Sequence, residues 1–512
     1  MLRKAQRRRP FQTSVSSRLA GICALLAVVF AAPAAHAHVG SSGVYAEGDA
    51  GPYKLFVTVQ PPGAIPGVAD VQVRTSDADI RRIRIVPVPL TGEASKHPPV
   101  PDTMRKSDQD AEFYGGSLWI MAGGSWQIRF LVDGSRGPGE LAIPLAAAPT
   151  ATLTMQPALK ALLAILGSLL VLGMAGIVGA GVREGTLAPG AEAPAWRRRR
   201  ARWAMAAALV ILVLGVWLGG RWWHRDAANY AKNLYKPLQM DASLLPGNTL
   251  DLALSNPAGA TRGWMRRRQM DDFILDHGHL MHLYMIREPE MDVVYHLHPR
   301  PAAEDHFRLE LPSMPAGTYR LYADVVHSDG FPETLVATVT LPVISGRALS
   351  GDDAAGTAPP LSRANEAQTI CLLPDGYVMV WARPPVLKAL HPEVFDFYLL
   401  DPTGHPPADM ALYMGMLGHA AFVRADGQVF AHIHPSGTAA MAAMMMAQGQ
   451  NPEQPMPMPM SMPMPMNGDS GAIPNKVGFP YGFPTAGKYR IFVQMKHGDT
   501  IETGSFDADV TK

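Results

Sequence analysis

The sequence predicts a mainly β chain with three periplasmic β-sandwich domains and two transmembrane helices between the first and the second. Short stretches alternate apolar and polar residues with period two, as half-buried strands do, at 71–74, 82–85 and 126–130. Two later stretches are long and apolar enough to cross a bilayer. A histidine pattern occurs twice in the C-terminal half, which indicates a duplicated domain.

The N-terminus has the features of a secretory signal. Five basic residues lie within the first nine positions, an apolar run follows at 19–32, and Ala35-His36-Ala37 is the small-x-small pattern of a cleavage site. We predict a signal peptide over 1–37, exported by the general secretory route. The twin-arginine route is the alternative, because Arg8-Arg9-Pro10-Phe11 resembles its signal. The first β-sandwich is then expected over 38–150.

Two apolar stretches without charged residues, 161–182 and 203–220, predict transmembrane helices over 158–182 and 203–220. The connecting segment 183–202 carries six arginines against two glutamates. By the positive-inside rule this loop is cytoplasmic, and both flanking regions are periplasmic. Buried core helices are the alternative, which the basic loop disfavours. We therefore expect a bacterial inner-membrane protein that spans the membrane twice after signal cleavage.

Charge and cysteine content narrow the possible functions. The 512 residues have a net charge of +1 and are 47% hydrophobic, which argues against nucleic-acid binding and against a disordered chain. Cys23 lies in the predicted leader and Cys371 is alone in the mature chain, which excludes a disulfide framework and a cysteine-rich zinc site. A metal site would therefore use histidine, methionine or carboxylate ligands.

The repeated pattern contains four histidines in the same order. Each copy has a lead histidine five residues before an arginine, then His-x-His-Pro, then Ala-Gly-x-Tyr-Arg, and a last histidine ten residues after that glycine. We predict β-sandwiches over 240–344 (copy one) and 361–512 (copy two), joined by a polar linker at 345–360. The eight residues are His282, His296, His298 and His327 in copy one, and His419, His432, His434 and His497 in copy two.

This pattern favours metal binding. Alternate residues of a strand project from the same face, so both imidazoles of His-x-His converge, and the proline ends the strand at a sheet rim. Imidazole is the commonest protein ligand of transition metals. We predict one four-histidine site in each copy. The structural alternative is that these rings only pack and close strands.

Other residues near the lead histidines are further candidates. His277 and His279 precede the lead histidine of copy one and either widen its site or decorate a loop. Met414 and Met416 precede the lead histidine of copy two and are further candidate ligands, or ordinary strand residues. Asp324 is a candidate to orient a ligand ring as a hydrogen-bond acceptor.

Copy two differs from copy one by a Met- and Pro-rich insertion within 437–475. Because prolines interrupt this tract, we expect an extended, mobile loop. Thioether sulfur selects Cu(I), and imidazole accepts Cu(I), Cu(II) and zinc, so copper is the predicted ion and zinc the alternative. The loop would capture Cu(I) and pass it to the histidines of copy two; low-complexity drift without function is the competing interpretation. The candidate thioether ligands are Met456, Met458, Met460, Met462, Met464 and Met466.

The start of the mature chain offers a third candidate copper site. Cleavage after Ala37 would leave His38 as the first residue, whose α-amine and imidazole can chelate copper together. With His38-Val39-Gly40, Gly51-Pro52-Tyr53-Lys54 and Pro61-Pro62-Gly63, this region resembles periplasmic copper-resistance and YtkA-like β-sandwich domains. That resemblance implies a β-sandwich with a role in copper handling. The two C-terminal copies resemble uncharacterised secreted domains with a His-x-His-Pro motif.

The sequence carries no Gly-rich phosphate loop, Gly-x-Ser-x-Gly elbow, His-Glu-x-x-His helix or c-type haem motif. The predicted function is a membrane-anchored periplasmic metal-binding protein that sequesters or relays copper, without catalysis. Its expected partners are the inner membrane, metal ions and other copper-handling proteins, and no nucleic acid. Two alternatives stay open: a copper-dependent oxidase or oxygenase, and an inner-membrane scaffold or assembly protein that binds no metal.

Overall fold

The computed structural model describes residues 43–188, 190–257, 270–361, 369–452 and 473–512. Strands predominate, and two long apolar helices separate an N-terminal from a C-terminal β region. The predicted fold class is confirmed. The predicted signal peptide and His38 lie outside the described residues.

The N-terminal β region consists of two antiparallel sheets. Its strands are β1 (Val44–Ala50), β2 (Tyr53–Gln60), β3 (Gly67–Arg74), β4 (Ile80–Pro89), β5 (Asp102–Thr103), β6 (Arg105–Lys106), β7 (Phe113–Ile120), β8 (Gly124–Gly134) and β9 (Gly137–Ala147). The sheet orders are β1-β2-β3-β7-β6 and β5-β4-β8-β9. The alternating segments of the sequence lie in β3, β4 and β8. One core lies between the two sheets, formed by alternate residues such as Val71 and Val73 of the first sheet and Ile83 and Ile85 of the second.

Two helices follow, α1 (Pro157–Glu184) and α2 (Ala195–Lys232). Both are long and apolar enough to span a membrane, with mean hydropathies of 2.5 and 2.1 over their most apolar windows. Only 6% and 0% of those windows are buried, which argues against the alternative of core helices. Both helices extend beyond the predicted spans, and at 1.5 Å per residue each exceeds the roughly 30 Å hydrocarbon layer.

Copy one contains two sheets. Its strands are β10 (Gln239–Leu245), β11 (Thr249–Ser255), β12 (His282–Glu288), β13 (Val293–Leu297), β14 (Arg300–Ala303), β15 (His306–Glu310), β16 (Gly317–Val326), β17 (Pro332–Leu341) and β18 (Ala354–Thr357). The orders are β10-β11-β15-β14 and β17-β16-β12-β13-β18. Strand β18 falls within the stretch expected to be a linker, 345–360, and pairs with β13. That stretch therefore contributes an edge strand instead of only separating the copies.

Copy two has the same arrangement of two sheets. Its strands are β19 (Ile370–Leu372), β20 (Val378–Ala382), β21 (Leu387–Lys388), β22 (Glu393–Leu400), β23 (Met410–Ala411), β24 (His419–Arg424), β25 (Phe430–Ile433), β26 (Lys476–Tyr481), β27 (Gly487–His497) and β28 (Thr500–Thr511). The orders are β19-β20-β22-β26 and β21-β28-β27-β24-β25, and β23 also pairs with β27.

The two copies pack against each other through the sheets that contain β12 and β24. Residues of β12 alternate between two cores: Leu283 and Met285 lie in the core of copy one, and Tyr284 and Ile286 pack against copy two. The ring of Tyr322 stacks on a phenylalanine of copy two with centroids 4.2 Å apart. Both faces of the central strand are therefore buried, and the lead histidine at its start lies at the interface between the copies.

The N-terminal β region packs on copy two. The backbone of Tyr45 exchanges hydrogen bonds with Thr438, and Ala46 forms a β-bridge with Gly437. The first part of the predicted loop is instead a buried helix, α3 (Met441–Ala447), which packs against this region. The expectation of an extended loop is wrong here because these residues lack proline and favour helix. The candidate ligands from Met456 to Met466 lie outside the described residues.

Candidate metal centre

Eight histidines from the two copies meet at the interface between them. Their ring centroids lie 3.8–6.2 Å from those of neighbouring rings in the group. Seven are buried or nearly so, and His279 is partly exposed. We call this group the histidine cluster. Its members are His277, His279, His282, His296, His298, His419, His432 and His434.

The period of the strands explains why these rings converge. His282 and Tyr284 project from the same face of β12, and His296 lies opposite Tyr284 in the register with β13. In copy two, His432 lies opposite Ala421 of β24, which also packs at the interface. Because β12 and β24 both turn this face toward the other copy, the His-x-His pairs of the two copies meet.

Two rings of copy one face each other through one nitrogen each, while their other nitrogens contact oxygens. His282 Nε2 donates to the carbonyl oxygen of Asp276 at 2.9 Å. His296 Nδ1 donates to Oε1 of Gln494 at 2.9 Å, and the Gln494 amide is oriented by its Nε2, which donates to Thr503 at 3.4 Å. The other two nitrogens, His282 Nδ1 and His296 Nε2, are 3.2 Å apart. Nitrogens bound at about 2.0 Å to one tetrahedral ion lie about 3.3 Å apart, so this pair has the spacing of two ligands on one ion.

A third ring completes a group within copy one. His298 Nδ1 donates to Oδ1 of Asp353 at 3.0 Å, and His298 Nε2 is buried with no partner among the described residues. One nitrogen each of His282, His296 and His298 lies within 4.8 Å of the others. We call these three residues the copy-one trio.

A second group combines both copies. His277 Nδ1 donates to the carbonyl oxygen of Met414 at 3.0 Å, and His434 Nδ1 donates to that of Ala439 at 3.2 Å. Their Nε2 atoms, and both ring nitrogens of His419, are buried without a partner among the residues described. One nitrogen of each of these three rings lies within 4.8 Å of the others. We call His277, His419 and His434 the interface trio.

The copies orient each other's rings. Asp324 of copy one accepts a hydrogen bond from Nδ1 of His432 in copy two at 3.2 Å, as Gln494 of copy two does from His296 in copy one. Asp324 and Gln494 occupy the same position, three residues before the last histidine of their copies. Asp324 therefore contacts a cluster ring, but one that belongs to the other copy. His432 Nε2 has no partner within the described part of the chain.

Burial keeps the rings of the two trios and of His432 neutral. It lowers the pKa of His277 and of His434 to about 3, with neighbouring histidines adding to the effect. Burial also lowers the pKa of the other rings of both trios and of His432. Because only a neutral imidazole can ligate a metal, the folded chain presents these rings in the binding form at neutral pH. Burial also raises the pKa of Asp324 to about 7.

The last histidine of copy one is not brought into the cluster. His327 Nδ1 lies 2.8 Å from Asp272 and its Nε2 lies 3.2 Å from Glu333. Burial lowers the pKa of His327, but the two carboxylates outweigh it and raise the value to about 9. The ring is therefore protonated at neutral pH and has no lone pair for a metal. The expectation that His327 completes a four-histidine site is not met.

Copy two repeats this arrangement. His497 Nδ1 lies 3.4 Å from Asp409 and its Nε2 lies 3.4 Å from Glu502, with Asp375 at 3.9 Å. His497 and two of these carboxylates form a third group with metal-like spacing, but both ring nitrogens already face carboxylates. The physical reason is parity: an odd offset of three residues from Gln494 places His497 on the opposite face of β27, away from the cluster. The same offset separates His327 from Asp324.

Two members of the cluster lie on a turn that the copies share. His277 and Met414 are equivalent, each followed by glycine, and both adopt left-handed conformations with φ of 52° and 49°. From the sequence, His277 and His279 are expected either to widen the site of copy one or to lie on a loop. In the structure, His277 belongs to the interface trio. The signal was present in the turn sequence Asp-His-Gly-His, but the partner rings belong to copy two and could not be read from the sequence spacing.

Comparison with known proteins gives little further information. A profile of the family described as Domain of unknown function (DUF8832) matches residues 252–343 and 373–512, which are parts of the two copies and less than half of the chain. No curated protein matches the sequence.

Solved structures align only loosely. A tetra-tandem repeat from the extending region of a large adhesion protein shares 7% identity over 88% of this chain and 71% of its own, with a TM-score of 0.17. The ICAM-5 D1-D4 ectodomain fragment gives 8%, 88% and 74%, with a TM-score of 0.14. Native alpha-2-macroglobulin of E. coli gives 9%, 93% and 23%, with a TM-score of 0.19. At these TM-scores the alignments do not indicate a shared function.

Proposed function

We propose that this chain is a membrane-anchored metal-binding protein that holds copper in the histidine cluster between its two copies. One observation carries the proposal: in six of the seven cluster rings with lowered pKa, one nitrogen donates to an oxygen and the other carries a lone pair turned into the cluster. Metal-ligating histidines in proteins have this arrangement, because the outer hydrogen bond fixes the tautomer and the ring orientation.

The competing interpretation is that the rings pack against each other without metal. Six buried ring nitrogens of the cluster lack a hydrogen-bond partner in the described residues. A buried polar atom without a partner costs about 1–3 kcal/mol, so six of them would cost an amount comparable to the whole stability of a domain. Metal binding would satisfy the lone pairs among these nitrogens, since in neutral His419 only one of the two nitrogens is an N–H donor, and this favours a metal site over packing.

The donor set and the sequence favour copper. The cluster offers imidazoles and no thiolate, a set that copper and zinc both accept. The insertion between His434 and β26 adds the thioethers Met456 to Met466, and thioether sulfur selects Cu(I). Zinc is the alternative ion that the titration below distinguishes.

The two apolar helices support a place at the membrane. The loop between α1 and α2 carries Arg197 to Arg200, and the positive-inside rule would place it in the cytoplasm and the histidine cluster in the periplasm. A buried histidine cluster in that position would suit sequestration of copper or its relay to other copper-handling proteins. Signal cleavage after Ala37 is part of this proposal.

The proposal is tested by metal titration of the full chain in detergent micelles, with chromophoric chelators as competitors for Cu(I), Cu(II) and Zn(II). We expect copper to bind more tightly than micromolar. Combining His296→Gln and His432→Gln should lower the copper affinity by more than about 100-fold, because removing a ligand weakens binding more than removing a residue that orients a ligand. The control variants His391→Gln and His405→Gln change exposed rings and should bind as wild type. Binding no tighter than micromolar, or a preference for zinc, would overturn the copper proposal.

The ring-orienting residues provide a separate prediction. Asp324→Ala and Gln494→Ala should each weaken copper binding 10- to 100-fold, because each removes the acceptor that orients a ligand ring. Asp324→Asn and Gln494→Glu keep an oxygen acceptor and should recover much of the affinity. If these residues acted only on the structure of the fold, the conservative variants should bind copper no more tightly than the alanine variants. Asp426→Asn, in an exposed ion pair with Arg424, is the matched control.

A further inference from the structure

The histidine cluster contains more ligands than one ion can bind. Copper and zinc sites in proteins use three or four protein ligands. The cluster supplies two complete sets of three nitrogens, the copy-one trio and the interface trio, which have no member in common. We propose that the cluster holds two copper ions side by side, one in each trio. This proposal rests on the proposed function.

The two trios are in direct contact. The ring centroids of His277 and His282 are 6.0 Å apart, and those of His296 and His419 are 6.2 Å apart. The ring of His432 lies between the trios, with its centroid 4.6 Å from His434 and 5.5 Å from His282, His296 and His419. Its Nε2, which has no partner among the described residues, is a further nitrogen beside both trios.

Acidic side chains lie around the cluster, and one of them, Asp353, is also paired with Arg347. The carboxylate of Asp353 lies 3.0 Å from Nδ1 of His298, and that of Asp352 lies 3.1 Å from Nε2 of His279. Asp324 contacts His432, and Asp276 accepts a hydrogen bond from the backbone of α3 beside the turn that carries His277. Acidic groups thus lie beside the rings of the cluster, and negative charge near the site favours the binding of positive ions.

The two ions would differ in what they require from the fold. The copy-one trio lies within a single copy, on β12, β13 and the residue after β13. The interface trio needs His277 from copy one and two rings from copy two, so it exists only when the copies are packed together. A change that separates the copies should therefore release the ion of the interface trio first.

The test is copper stoichiometry of the full chain in detergent, loaded with Cu(II) and dialysed, and measured by elemental analysis together with electron paramagnetic resonance. Cu(II) is used because thioether sulfur selects Cu(I), which keeps the methionine tract out of the count. We expect His298→Gln and His434→Gln each to lose one copper relative to wild type, and the double variant to lose two. The two ions of wild type should be magnetically coupled, so their spin signal integrates to less than the copper of the cluster. Each single variant should recover a full signal from its one remaining ion.

Each alternative outcome is decisive. If each single variant and the double variant all lose one copper, the cluster holds only one ion. That outcome would overturn the two-ion proposal and leave the proposed function standing. If neither variant changes the copper content, the cluster is not the copper site and the proposed function fails. Two ions without magnetic coupling would overturn their placement in adjoining trios. Circular dichroism of each variant checks that the fold is retained, and His405→Gln serves as the control.

Discussion

Metal-free protein is expected to lose about 4 kcal/mol of unfolding free energy when the pH falls from 7.5 to 5.5. Burial lowers the pKa of seven rings of the histidine cluster in the folded state, whereas in the unfolded chain these rings titrate near 6.5. Below pH 6.5 the unfolded chain therefore binds more protons than the folded chain. Stability is retained above this pH and is lost as the pH falls toward about 3.

The magnitude follows from the balance of lowered and raised pKa values. Six of these rings, whose folded-state pKa lies at about 3 or well below 6.5, each cost about 1.4 kcal/mol over this interval, roughly 8 kcal/mol together, and the lowered pKa of His282 adds to this loss. Asp324 and Glu502, whose pKa values burial raises to about 7, and His327, raised to about 9, act in the opposite direction because their folded forms hold protons more tightly. Together these three groups offset about 5 kcal/mol of the loss caused by the histidine rings, and the remainder is the net loss of unfolding free energy.

The measurement is the thermal unfolding midpoint of metal-free and copper-loaded protein at several pH values. The metal-free midpoint should fall by roughly 10 °C between pH 7.5 and 5.5, and the copper-loaded midpoint should change much less, because the bound ion stabilises the folded state. The double variant His277→Gln, His434→Gln removes two titrating rings and should reduce the loss by about 3 kcal/mol. A double variant as acid-sensitive as wild type would contradict this account, and His405→Gln should leave the pH dependence unchanged.

The face on which each histidine lies could be derived from the sequence only in part. The period of two places both rings of His-x-His on one face, and the structure places them so. To place the last histidine of each copy, the register of β16 and β27 has to be known as well. Asp324 lies opposite His282, and His327, three residues later, lies on the other face. Sequence spacing repeats in both copies whether or not a residue faces the site, so repetition alone could not separate His327 and His497 from the rest.

The packing of the two copies against each other is reflected in the sequences of two strands, although the structure is needed to interpret them. The strands that begin with the lead histidines, β12 (HLYMIRE) and β24 (HAAFVR), carry apolar residues on both faces instead of alternating. A strand of this kind is buried on both sides. One side is the core of its own copy, and the other is the second copy, which explains why the predicted pair of separate four-histidine sites is replaced by one shared cluster.

The arginines of the two Ala-Gly-x-Tyr-Arg motifs explain how the copies are held together. Arg490, which is 2% exposed, pairs with Asp507 at 2.7 Å and donates to the backbone carbonyls of Met291 and Pro359 at 2.9 and 2.6 Å. Its equivalent Arg320 reaches the carbonyl of Gly427 in copy two at 3.4 Å. Each arginine thus extends from its own copy to the backbone of the other.

Replacement of Arg490 by methionine should therefore destabilise the chain by about 3–5 kcal/mol, because it leaves a half-buried carboxylate and two carbonyls without their partner. The expected fall in the thermal midpoint at pH 7.5 is roughly 10 °C. Arg424→Met is the matched control: Arg424 pairs with the exposed Asp426 in its own turn, and such a pair contributes at most about 1 kcal/mol. Because only the interface trio takes its ligands from both copies, Arg490→Met should also weaken the binding of that copper ion more than the binding of the ion in the copy-one trio, which loses only the ring-orienting contact of Gln494. Equal stability of Arg490→Met and Arg424→Met would show that this arginine does not hold the copies together.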